Sequence, residues 1–465
     1  MKKQYSDFIQ FYGLIAITIF FTYFIPSNIR VFWYVALLFV YGRSKDEPFW
    51  LALFLVISDG IMGFLGNYEA ILSILPGLPA IEIGLFFVMI AFVKALYKKK
   101  QYTVFFKNNL IILGIYVLLL VFLGFYLGIS SGLNVYFRVF KFTLPLLLFY
   151  IVPRLFKSEE DFARFFSFIF PIVMLSLVNQ IYDITSGQSL TTMLRIGEPE
   201  IFEIKAGRIY RGFYSPYIVL LGFFAALFYA IKDQKYFSRL YLNLIIFSAS
   251  AIVLFSATRG WMIGFGITMI LYYTVVVKAN PKRLALFIII VFAGSFIGRQ
   301  IPLINMQIDY SIERFTTVGG IIEGDEEALE TQARTTERGP RVMNKWQESK
   351  LLGWGFSDSF WEFSDGHVGN QNILLHSGIL GAILILIFFL TFHERLLISA
   401  IKGHQRENLV FIIFFIGWFV IHSTSGQHFS FLGMPGKIIM QATFFSFGAF
   451  QYHQARLKRI ERLNQ

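Results

Sequence analysis

Cysteine is absent from this 465-residue chain, which excludes disulfide bridges, thiolate nucleophiles and Cys-ligated zinc together. Charge is scarce too: Asp, Glu, Lys and Arg make up 15% of residues, against about a quarter in an ordinary soluble domain. There is no HExxH, no DxD-like pair beside a membrane boundary and no His/Asp cluster at metal-ligand spacing, so no metal or other cofactor is expected. No fixed-period repeat occurs. The first apolar run lacks a small-x-small cleavage site and further runs follow at once, so it reads as a retained helix and not a signal peptide.

What is present is apolar. Hydrophobic residues reach 56%, aromatic residues 18%, and the mean hydropathy is +0.61. The runs are long and continuous, and lipid cannot satisfy backbone polar groups, so the spans must be helices and not barrel strands. At about 20 residues per span the expectation is an all-α, polytopic transmembrane bundle of about 14 helices. They fall near Phe8–Ile25, Ile29–Tyr41, Pro48–Gly66, Ala80–Leu96, Asn109–Gly128, Tyr136–Pro153, Phe165–Asp183, Phe213–Ile231, Leu240–Ser256, Trp261–Val277, Leu284–Gly298, Asn372–Thr391, Leu409–Val420 and Phe431–Phe450. Residues 1–298 then hold eleven helices, 299–371 a long loop, and 372–465 three more helices and a tail.

A net charge of +12 suggests nucleic acid in a soluble protein. Here the basic residues sit in short connections such as "GRSKDE", "KALYKKKQ" and "KANPKR", which carry roughly twice the Lys and Arg of the alternate connections. That is a topology signal. It puts both termini in the cytoplasm, the 299–371 loop outside, and removes nucleic acid as a partner.

Every polar feature of chemical interest then lies on the outer side. Arg208 and Arg211 stand in "IKAGRIYRGFYSPY", Arg259 in the tight turn "LFSATRGWMIGFG", and Arg338 and Arg341 in "TTERGPRVMNKW". Arginine offers a planar, permanently charged fork that fits phosphate oxygens, so arginines converging there would form a diphosphate site. The alternative is that each anchors to lipid phosphates without any substrate. His367 is the only histidine of the long loop, and a neutral imidazole can take a proton from an attacking hydroxyl. A surface histidine without chemistry is the alternative. The loop exceeds ~15 residues, the length at which connections are usually functional or disordered. It reads as an acidic stretch, a short helix around Arg341–Ser349 and a glycine-bounded turn. The acidic run Glu323–Glu330 has no fixed ligand geometry and reads as a solvated face. Asp59, Glu82, Arg138 and Lys141 are isolated charges at membrane depth: Arg138 and Lys141, one helical turn apart, could contribute to an anionic lipid site, and Asp59 and Glu82 could instead pair with basic residues.

These residues carry a resemblance. The segment "GPRVMNKWQESKLLGWGFSDSFWEFSDGHVGNQNILLHSGILGAILIL" resembles the signature region of the O-antigen polymerase and O-antigen ligase superfamily: an arginine and a tryptophan in a short helix, a glycine turn, then a histidine leading into a glycine-bearing membrane helix. Arg341, Trp346, Gly353 and Gly355 fill the first part, and His367, Gly378 and Gly381 the second. "RIYRGFYSPYIVLLGFFAALF" is similar to the family's arginine-bearing loop, and "LFSATRGWMIGFGITMIL" to its S-x-S-R-G turn. The sequence departs in Val368, where the family has asparagine, with Asn370 and Asn372 following later, and in lacking the usual proline at Lys350 or Leu351.

The resemblance implies a metal-independent, inverting glycosyltransferase of the bacterial inner membrane, acting in surface polysaccharide or lipopolysaccharide biosynthesis. Its donor would be an undecaprenyl-diphosphate-linked oligosaccharide, and its acceptor a sugar hydroxyl on another lipid-linked glycan or, for a ligase, on the lipid A core. His367, Arg211 and Arg341 would be catalytic, with Arg208, Arg259, Arg338 and Asn370 binding substrate. Membrane lipids and a chain-length regulator protein are the further partners implied. Trp354, Phe356, Phe360 and Trp361 could stack on sugar faces. A rival of another class, a polysaccharide transporter or flippase, would be expected to show paired repeats and broken helices near the bilayer centre.

Overall fold

A computed structural model of the chain describes residues 2–66, 69–72, 80–99, 102, 106–129, 133–186, 212–232, 235–278, 299–323, 334–429 and 432–463. These residues are mostly helical; two-residue strands β1 (Ile71–Leu72) and β2 (Ile81–Glu82) form one small antiparallel ribbon. In chain order the α-helices are α1 (Lys2–Phe24), α2 (Ser27–Arg43), α3 (Glu47–Asp59), α4 (Ile83–Leu96), α5 (Phe106–Leu127), α6 (Leu133–Thr143), α7 (Leu148–Leu155), α8 (Glu159–Ser186), α9 (Pro216–Ile231), α10 (Arg239–Phe255), α11 (Arg259–Leu271), α12 (Pro302–Glu323), α13 (Gly339–Gln347), α14 (Asp358–Phe363), α15 (Gly369–Lys402), α16 (Leu409–Thr424) and α17 (Pro435–Leu463).

Among the described residues seven helical stretches are long and apolar enough to cross a membrane: Tyr5–Phe24, Lys107–Leu127, Tyr136–Leu155, Glu159–Ser186, Arg259–Val277, Gly369–Lys402 and Arg406–Thr424. Ile83–Leu96, Pro216–Ile231 and Arg239–Phe255 are shorter apolar helices. The chain is therefore all-α and built for a membrane. Each apolar run read from the sequence overlaps a described helix except the eleventh, Leu284–Gly298, which lies outside the described residues; the third is helical only to Asp59, and the sixth is divided between α6 and α7.

One core joins most of these helices. In α17, Ile438, Ile439, Ala442, Phe444, Phe445 and Phe447 have no accessible surface, so this helix runs through the middle of the bundle. Its phenylalanines meet Phe224, Phe228, Phe392 and Phe411 from α9, α15 and α16 at centroid separations of 4.7–5.6 Å. Aromatic pairs at these separations gain about 0.5–1.5 kcal/mol each beyond area burial. Helices α11 and α16 cross at Gly264 and Gly417. A Cβ on either would come within 2.6 Å of the other's carbonyl oxygen, so only glycine permits this approach.

The connections separate into two groups. At one end of the bundle Lys94 Nζ pairs with Glu47 at 2.8 Å, Arg164 pairs with Asp7 at 2.9 Å, and Lys232 pairs with Glu159 at 2.7 Å. At the other end, Asp358 N–H donates to Gly128 O, Gly212 N–H to Ser256 O, Gln427 N–H to Gly366 O and Gly433 N–H to Phe142 O. The first group is rich in ion pairs. The second gathers the segments that carry the candidate site.

Two further features differ from the sequence expectation. The 299–371 segment opens with the 22-residue helix α12, whose Ile304 and Ile308 pack with Ile184 and Tyr214. Its few apolar residues are spaced for a helix face but are too sparse to register as a span. Helix α15 continues past Thr391 to Lys402, because the "HERLLISAIK" read as a connection keeps its apolar spacing.

Candidate functional site

The site is built on a broken helix. At Gly378, φ is 60° and ψ is −165°, which interrupts α15 after its first turns. A break frees backbone groups that must be satisfied inside a membrane protein. Residues 350–355 do so: Trp354 N–H donates to Leu375 O at 2.8 Å and Gly355 N–H to His376 O at 2.7 Å, while Ile379 N–H donates to Lys350 O at 3.0 Å and Leu380 N–H to Leu351 O at 3.1 Å. The fit needs glycine on both segments, since a Cβ on Gly353 would lie 2.5 Å from Gly378 N and one on Gly378 would clash with Leu351 O. Gly353 is also left-handed, at φ 72°. The sequence motif "GWG" is thus a plug for the helix break.

The short helix α13 docks on this frame. Pro340 stands in its first turn, where a missing N–H costs nothing. Val342 is fully buried in a small core with Phe360, Val368 and Leu375. Arg338 and Arg341, three residues apart and so on one face, then reach the same carboxylate. Arg338 Nε and Arg341 Nη2 each lie 3.7 Å from Asp365 Oδ2. The other oxygen, Asp365 Oδ1, accepts the His367 N–H at 2.9 Å, and Val368 N–H closes the turn on Asp365 O at 3.2 Å. His367 is exposed at the tip.

The turn is bolted from behind. Asn372, 2% exposed, accepts Asp365 N–H at 3.1 Å and donates to Gln427 Oε1 at 2.6 Å; Gln427 N–H in turn donates to Gly366 O at 2.6 Å. Asn370 Nδ2 donates to Ser423 Oγ at 2.9 Å. Below lies the connection after α16: His422 Nδ1 accepts the His428 N–H at 2.9 Å and the Phe429 N–H at 3.3 Å, so this nitrogen carries no proton. Trp418 Nε1–H donates to His428 Nδ1 at 3.0 Å. Burial pushes the His428 imidazole well below its ordinary range, and His422 and the Lys437 charge act in the same direction.

Of the sequence-named residues, the fold brings Arg338, Arg341, His367 and Asn370 into one neighbourhood. Arg259 opens α11, and its neighbour Gly260 lies against Thr424 and Ser425, beside the Ser423 that holds Asn370. Arg208 and Arg211 lie outside the described residues. The next residue, Gly212, bonds Ser256 just ahead of Arg259, and Phe213 packs edge-on to Trp261 at 4.8 Å. Asp365 and Gln427 were not singled out by sequence reasoning, and Asn372 was noted only as a late asparagine with no role. The spacing Asp-Gly-His was the available signal, because Asp readily bonds the N–H two residues on.

Each of the isolated charges has a partner in the fold, but only two of them pair with one another. Glu82 and Lys141 form an ion pair, and Arg138 lies over the Trp361 ring at 5.0 Å. Asp59 Oδ2 accepts the Ile218 N–H at 2.8 Å at the start of α9. Among the described residues no three His, Asp or Glu side chains group as a metal site would need.

The chain matches no model of a known family and no curated protein.

Proposed function

We propose that the protein is an integral-membrane glycosyltransferase of the O-antigen polymerase type, which moves glycan from undecaprenyl diphosphate to a sugar hydroxyl of a second lipid-linked repeat unit. In this reading about 14 helices span the bacterial inner membrane, both termini face the cytoplasm, and the site faces outward. The observation that carries the proposal is the convergence of Arg338 and Arg341 on Asp365, two residues before His367.

The chemistry follows from those groups. His367 takes the proton of the acceptor hydroxyl as its oxygen attacks the anomeric carbon. The bond from that carbon to the donor phosphate oxygen breaks, and the leaving diphosphate keeps the electron pair and its negative charge. Arg338 and Arg341, with Arg211, Arg208 and Arg259, stabilise that charge. Attack opposite the leaving group inverts the anomeric centre. Asn370 orients the donor.

The break at Gly378 is a feature transporters share, but its freed backbone groups are occupied by residues 350–355 and not left lining a cavity. Purified protein reconstituted with lipid-linked repeat units separates the readings. A polymerase yields a glycan ladder insensitive to chelator; a ligase yields one product, and only when lipid A core is added; a transporter moves the lipid-linked unit across the bilayer and makes no new glycosidic bond.

A further inference from the structure

Asp365 holds a position that neither its charge nor its place in a loop explains. Only 14% of its side chain is exposed, yet its two oxygens face different elements. One accepts the backbone N–H of His367 and thereby sets the turn; the other faces the guanidinium groups of Arg338 and Arg341, which are about half-exposed. Two cations directed at one point repel each other and would splay into water without a shared counter-charge. The exposed remainder of each guanidinium still presents free donors to a ligand.

We propose that Asp365 is a positioning residue for an anionic diphosphate ligand: its carboxylate keeps Arg338 and Arg341 together and ties that pair to the His367 turn. The assignment rests on the reading of His367 and the arginines as a glycosyl-transfer site. Its two halves are separable. Charge on Asp365 serves the arginines and hence ligand affinity, while an acceptor oxygen at this position, charged or not, is enough for the turn and hence for His367.

Asp365→Asn and Asp365→Ser keep an acceptor for the His367 N–H and remove the charge; Asp365→Ala removes both. In the full-length protein, the Asn and Ser variants are expected to raise the KM for lipid-linked donor about tenfold and to lower kcat several-fold, and the Ala variant to lose at least a further tenfold in kcat. Binding of farnesyl diphosphate, measured by the thermal shift of the purified protein, is expected to weaken about tenfold in all three. Unchanged KM and unchanged farnesyl diphosphate binding in the Asn and Ser variants would overturn the proposal. So would tighter binding, which would mean that Asp365 competes for the arginines. If wild-type protein forms no glycosidic bond, the proposed function fails, and the farnesyl diphosphate measurement still tests the role of Asp365.

Discussion

Gly353 and Gly378, 25 residues apart in the chain, touch backbone to backbone, with no room for a Cβ on either. Either alanine also forces a side chain onto a left-handed backbone. Each alanine is expected to cost about 2–4 kcal/mol, read as a lowered thermal midpoint in detergent. Alanine at Gly366, where nothing lies within 4 Å of a Cβ, is the control and is expected to cost little.

The two asparagines after the histidine should behave differently. Asn372→Ala removes both bonds of a buried amide and leaves the Asp365 N–H and Gln427 without it, an expected loss of about 1–3 kcal/mol. Asn370 is exposed and bonded once, so Asn370→Ala is expected to change stability by less than about 0.5 kcal/mol and to act on donor KM alone. Thermal unfolding beside KM measurements separates the two.

Glu82 is buried, Lys141 mostly so, and the two form an ion pair. Removing one partner, as in Glu82→Gln or Lys141→Met, leaves a buried charge and is expected to cost about 3–5 kcal/mol. The double variant should recover most of that loss. A double-mutant cycle on thermal stability checks it, and strict additivity would contradict the pairing.

His428 makes stability depend on pH. Its folded imidazole protonates well below the ordinary histidine range, whereas the unfolded chain takes up a proton near pH 6.5. The unfolded state therefore binds more protons below that pH, and stability is lost as pH falls below about 6.5. His428→Gln is expected to flatten part of the fall in thermal midpoint between pH 7 and 5. An unchanged slope would contradict it.

The long apolar runs made most helices legible, because membrane spans announce themselves by continuous hydrophobicity. The end of α15 was not, since "HERLLISAIK" changes composition without changing periodicity. Nor was α12, where Ile304, Ile308 and Ile312 repeat at helical spacing among polar residues. In the site, the arginines and His367 were legible as residue types on one side of the predicted membrane. Their mutual contact through Asp365 was not, because α13 is brought to that carboxylate by Val342 packing on Val368 and Leu375, a tertiary event with no local signature.

The central claim is that His367 and the arginine pair together drive glycosyl transfer. Its most direct test is the glycan ladder formed by purified protein from lipid-linked repeat units, compared for wild type, His367→Ala and Arg341→Ala. The account expects a ladder from wild type alone, with each variant slowed at least a hundredfold while still folded. Ladders at the wild-type rate from both variants would contradict it.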